Sequence, residues 1–176
     1  DLQADLAYAV EGYTNTYGNI WRWDILPTNT EVEAVYGTLN ALIGKCNFLL
    51  ERIAVLEQEV DDEDYEKLQQ FKGEALFARA LSYSDLIKMY CKAYDPATAA
   101  DELGVVLVSS YSNAGTLKRA SLKDSYQFVL DDLAQSATCL KPDENENDES
   151  YYDTPYFTIY AVNALYARVY LNMQEW

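Results

Sequence analysis

The sequence predicts an all-α fold of tetratricopeptide-like stacked helical hairpins with long connecting loops. Three observations predict it. Apolar residues recur at alternating steps of four and three over long stretches, polar capping signals stand where those stretches begin, and one alanine-rich heptapeptide occurs twice.

Residues 1–29 form an irregular, aromatic-rich lead-in, because Gly12, Asn15, Gly18, Asn19 and Pro27 interrupt any period. A short helix fits at its start. Residues 30–176 then read as one helical-repeat domain. Thr30 with Glu33 forms a capping box, after which Val35, Leu39, Leu42, Cys46, Leu49, Ile53 and Leu56 make one apolar stripe, predicting a helix over 30–56. Asp61, Asp62, Glu63 and Asp64 place negative charge where a second helix, 63–91, should begin. Residues 92–120, with Pro96, Gly104 and Gly115, make a long connection. Within it 105–108 can extend, but stands too isolated to build a sheet. Ser121 and Asp124 cap a third helix that continues through Tyr126, Val129, Leu133 and Leu140. Pro142 ends it, a polar loop follows, and Thr154 with Pro155 supplies the N-cap and first residue of a fourth helix running to the chain end.

The repeat pairs residues 74–80 with 163–169, which match at six of seven positions by class. Alanines at i, i+3 let helices approach closely, so the two hairpins are expected to stack through Ala75, Ala78, Ala164 and Ala167. The offset of 89 residues far exceeds the tetratricopeptide period of about 34, implying elongated units.

Composition narrows the chemistry. Net charge is −16, which repels phosphate backbones and anionic lipid and makes nucleic acid an unsuitable partner. There is no histidine, so Ser/His and Cys/His relays and histidine zinc sites are excluded. No phosphate-cradling loop, nucleophile elbow or cofactor fingerprint occurs. Cys46, Cys91 and Cys139 lie far apart and read as small buried hydrophobes. Asp143, Asn145 and Asn147 imitate a calcium loop, but Asp148 stands where its turn needs Gly and Thr154 where a bidentate Glu is needed. The reading is therefore no catalysis, no metal and no cofactor. No apolar run of about 18 residues could span a membrane.

The 16 tyrosines and three tryptophans are the abnormal entries, since such rings suit carbohydrate stacking as well as helix packing. Trp21 and Trp23 are the sharpest candidates. In an extended segment alternate side chains point the same way, roughly 7 Å apart, so the two indoles could form one platform. Tyr17 would extend it, with Asp24 and Asn29 offering polar groups to sugar hydroxyls. The alternative is that both indoles are buried against the following helix.

The stretch Gly73-Glu74-Ala75-Leu76-Phe77-Ala78-Arg79-Ala80-Leu81-Ser82-Tyr83-Ser84-Asp85-Leu86 resembles the hallmark helix of the SusD/RagB-like family. The preceding helix with Asn40 and Asn47, Tyr94-Asp95-Pro96, Leu103-Gly104-Val105, Arg119 to Ser121, Asp131-Asp132-Leu133 and the alanine-rich 161–171 resemble the family's succession of segments. Val106 departs from it, standing where Pro is common. The resemblance covers about 30–176 and implies the N-terminal part of a longer, surface-exposed outer-membrane lipoprotein of Bacteroidetes. Such a protein takes part in polysaccharide utilisation, capturing oligosaccharide for a TonB-dependent, SusC-like transporter, without catalysis. Its signal peptide and lipidated cysteine are absent from this sequence. The reading from another class is a helical-repeat scaffold that binds peptides or partner proteins.

Overall fold

Two helix starts are set by local polar groups. In the computed structural model, which describes residues 8, 17–111, 117–140 and 156–175, the elements are α1 (Gly18–Trp21), α2 (Thr30–Leu56), α3 (Asp62–Tyr90), β1 (Leu103–Val106), β2 (Arg119–Ser121), α4 (Leu122–Cys139) and α5 (Ile159–Asn172). Asp61 caps α3, its side chain accepting the Asp64 N–H at 3.0 Å, and Ser121 caps α4 by accepting the Asp124 N–H at 3.0 Å. At α2 the expected box is not made. The Glu33 N–H donates to the Asn29 carbonyl at 3.1 Å, so Asn29 is the half-in residue. The Thr30 hydroxyl donates to Glu31 instead. α5 begins at Ile159 after non-helical 156–158; Thr154, Pro155 and the 143–148 loop lie outside the described residues.

Contacts divide the chain into two units, Asp1–Thr38 and Leu39–Trp176. In the second, α2 and α3 form an antiparallel hairpin. Near its turn, Glu57 accepts from Lys72 at 2.8 Å and Gln69 at 2.6 Å; farther along, Asn47 accepts from Arg79 at 2.7 Å. α3 packs chiefly on α4, and α4 carries α5. The core lies between them, with Tyr83, Leu86, Leu122, Val129, Leu133 and Val162 almost fully buried.

In packing and sheet formation, sequence and structure part company in three further places. The apolar stripe of α2 splits: Cys46 and Ile53 face inward beside Ile43, whereas Leu42, Leu49 and Leu56 stay 40–42% exposed. The alanine stacking is not made, because Ala164 and Ala167 are exposed while α5 buries Val162, Leu165 and Val169. Close approach is achieved instead at Gly73, where an added Cβ would lie 2.6 Å from Leu140 Cγ and where Ser136 Oγ donates to the Gly73 carbonyl at 2.7 Å. Finally, the 103–106 segment does build a sheet, antiparallel to β2, with Leu103 opposite Ser121 and Val106 opposite Arg119. The intervening residue count is unequal, a bulge. Gly104 permits it, since a Cβ there would sit 2.5 Å from the Ser121 carbonyl oxygen.

Two expectations follow from this packing. Gly73→Ala should destabilise the chain by about 1–3 kcal/mol despite the better helix propensity of alanine, because the helix contact is overpacked. Ala164→Leu should stay within about 0.5 kcal/mol of the parent. Urea denaturation of both variants checks this; equal melting would show that the α3–α4 contact is slack. The second expectation is pH-dependent. Hydrogen bonds from Lys72 and then Gln69 hold the Glu57 carboxyl below its ordinary value, burial opposing them. A lowered folded-state value means the stabilisation is present above the ordinary carboxylate range and is lost as pH falls through the lowered one. The urea midpoint of the parent should therefore fall more between pH 6 and pH 3 than that of Glu57→Gln, a difference absent if the pair is not formed in solution.

Candidate functional site

The residues singled out by the sequence, Tyr17, Trp21, Trp23, Asp24 and Asn29, all lie in the first unit, on two consecutive turns. They do not lie in an extended strand. Gly18–Trp21 close a single helical turn, with the Trp21 N–H on the Tyr17 carbonyl at 3.0 Å and the Arg22 N–H on that of Gly18 at 3.0 Å. The alternation argument for a two-indole platform therefore does not hold, because Trp21 ends a helix and Trp23 follows its cap.

What the turn does to Trp23 is more informative. The Trp23 N–H donates to the Ile20 carbonyl at 3.2 Å and the Asp24 N–H to that of Asn19 at 2.9 Å, the paired bonds of a Schellman helix end. That motif puts Trp23 in the left-handed region, with φ at 59°. The position normally belongs to glycine, and a bulky residue there costs about 1–2 kcal/mol. The indole recovers little of this by burial, since Trp23 is 65% exposed. α5 ends in the same motif with Gln174 at φ 61°, but there the side chain donates to the Tyr94 carbonyl at 2.8 Å. Among the described residues Gln174 thus has a structural partner, and Trp23 has no such side-chain bond. Trp21 is half-buried, Tyr17 and Asp24 are exposed, and Arg22 donates to the Asn19 side chain at 2.9 Å. The Asn29 side-chain oxygen is committed to the Leu26 N–H, which fixes the turn before α2.

The buried carboxylate and two of the thiols are engaged or masked. Both carboxylate oxygens of the buried Asp132 accept from Arg79, at 2.7 and 2.8 Å. Burial pushes the Cys46 and Cys91 thiols up, away from the reactive thiolate. Among the described residues no group of three or more His, Cys, Asp or Glu could hold a metal ion, and no helix is long and apolar enough to cross a membrane.

The sequence model of a family described as SusD-like, starch-binding and associating with the outer membrane matches residues 3–171. The chain belongs to the SusD-like family. A SusD superfamily structure from Bacteroides thetaiotaomicron superposes with a TM-score of 0.73 at 23% identity, covering 96% of this chain and 35% of the other. A SusD-like carbohydrate-binding protein from Bacteroides vulgatus gives 0.74 at 15% identity over 96% and 33%. A laminarin-binding SusD-like protein gives 0.65 at 17% identity over 93% and 32%. These likenesses are of fold. The chain spans about a third of the length of these relatives. A comparison with curated proteins gives no match.

For this SusD-like chain the left-handed Trp23 gives a direct expectation. Trp23→Gly should relieve about 1 kcal/mol of backbone cost, slowing exchange of the Asp24 amide about fivefold. Unchanged exchange would mean that the helix end is not formed as described.

Proposed function

We propose that the chain is the glycan-contacting helical part of a non-catalytic nutrient-capture protein. It works at the bacterial cell surface as an outer-membrane lipoprotein and passes oligosaccharide to a TonB-dependent, SusC-like transporter. The observation that carries this reading is the family match over 3–171, whose description is starch-binding and outer-membrane-associated. The sugar-binding and laminarin-binding descriptions of the superposed structures support it. Trp23 is the anchor: an aromatic face kept in solvent at a conformational cost, next to the carboxylate of Asp24. Tyr17 and Trp21 add aromatic surface on the same turn, and Asn29 holds the following one. A flat apolar face with few polar groups suits a pyranose, which presents C–H bonds on its faces and hydroxyls at its rim.

The test is electrophoresis of the folded chain through native gels containing starch or laminarin, with isothermal titration against the corresponding oligosaccharides. The parent should be retarded by one of them. Trp23→Ala should lose at least about tenfold in affinity, which is about 1.4 kcal/mol. A parent retarded by neither would overturn the glycan reading, and an unaffected Trp23→Ala would remove Trp23 from the site. Transfer is tested separately: the intact protein should co-purify from outer membranes with a TonB-dependent transporter, and isolation without one would contradict delivery.

A further inference from the structure

We propose a second glycan subsite on the outer face of α2, where the Tyr111 ring stacks on one residue of a neutral oligosaccharide and Arg52 and Glu51 bond its hydroxyls. This rests on the glycan-capture reading above but uses residues of the second unit.

Side chains of α2 and α3 hold the 108–111 segment. The Val108 backbone makes three hydrogen bonds to side chains. Its carbonyl accepts from the Asn47 amide at 2.8 Å and from the Tyr83 hydroxyl at 3.2 Å, and its N–H donates to that same hydroxyl at 2.8 Å. Asn47 and Tyr83 are both fully buried. Three residues on, the Tyr111 N–H donates to Glu51 Oε1 at 2.7 Å. The four-residue stretch is thus tied to α2 and α3 at Val108 and to α2 again at Tyr111.

What this presents to solvent is a ring. Tyr111 is 61% exposed, although its ring meets Phe48 edge-on at 5.2 Å and 68°. The Arg52 guanidinium lies over the Phe48 ring at 5.2 Å from its centre. Two aromatic rings, a guanidinium and a carboxylate with one oxygen already used therefore stand together on one surface. The chemistry matches a sugar. A ring face covers the C–H face of a pyranose, while guanidinium N–H groups and a carboxylate oxygen bond vicinal hydroxyls as donor and acceptor. Because the backbone is pinned, little conformational entropy is lost on binding. The net charge of −16 disfavours polyanionic glycans, which selects neutral ones. The nearby exposed row Leu42, Leu49 and Leu56 would suit an apolar helix instead, but it supplies no role for the charged pair beside Tyr111.

The experiment titrates parent, Tyr111→Ala, Tyr111→Phe and Trp23→Ala with maltoheptaose, laminariheptaose and oligogalacturonate, with circular dichroism and thermal melting to confirm folding and size exclusion to record assembly. Tyr111→Ala should weaken the neutral glycan the parent binds by about fivefold, and Tyr111→Phe should retain parental affinity within about twofold. The polyuronate should not bind. Tyr111→Ala binding like the parent while Trp23→Ala is weakened would sink the subsite and leave the glycan reading standing. A parent that binds none of the three overturns both. A change in assembly size on Tyr111→Ala, with affinity unchanged, would assign the face to protein contact instead.

Discussion

Arg79 carries a full positive charge into the interior of the second unit, and much of the surrounding arrangement exists to satisfy it. Nε and Nη2 bond the two oxygens of Asp132 on α4, Nη1 bonds the Asn47 side chain on α2, and the guanidinium lies over the Phe128 ring, 5.3 Å from its centre. Burial pushes the Asp132 carboxyl up and the Arg79 hydrogen bonds pull it down. The two-point geometry is that of an ionised pair. Such a pair adds little net stability over well-packed apolar residues, yet removing one partner costs about 3–5 kcal/mol because the other charge is stranded. Its effect is therefore on arrangement. Any slip of α2, α3 or α4 along its neighbours leaves a buried charge or amide without its partner.

The same network reaches the surface through Asn47. Its oxygen accepts a hydrogen bond from Arg79 and its NH2 group donates one to the Val108 carbonyl, so the amide orientation is set by the ion pair. Tyr83, on the same helix as Arg79, closes the other side of that peptide. The 108–111 stretch is thereby tied to α2 and α3, which gives the exposed ring at Tyr111 a defined place.

The starts of α3 and α4 are legible in the sequence because their caps are local. Asp61 and Ser121 bond amides three residues away, so the signal and its cause sit within one turn. Faces were less legible. Val35, Leu39, Leu42, Cys46, Leu49, Ile53 and Leu56 satisfy one periodic template, but the template holds two rows, and only the partners of α2 decide that Cys46 and Ile53 are covered while Leu42, Leu49 and Leu56 are not. Gly73 was read only as part of a family motif, since a helical glycine has no local mark of close approach; its partner Leu140 is remote in sequence. The sheet was missed for the same reason: residues 103–106 and 119–121 gain their meaning from each other.

The candidate residues show the limit most sharply. Trp21, Trp23 and the polar groups around them were recognised by type, whereas the spacing argument assumed an extended chain and the chain makes a helical turn. The structural reason to attend to Trp23 is different and could not be read from residue type. A tryptophan occupies the left-handed position of a Schellman end, where glycine is unstrained, and keeps its ring in solvent. Gln174, in the same conformation, offsets its strain with a bond to Tyr94. Strain with a structural return needs no further cause. At Trp23 the described residues offer no such bond, so the left-handed cost of about 1–2 kcal/mol falls on a ring that stays 65% exposed.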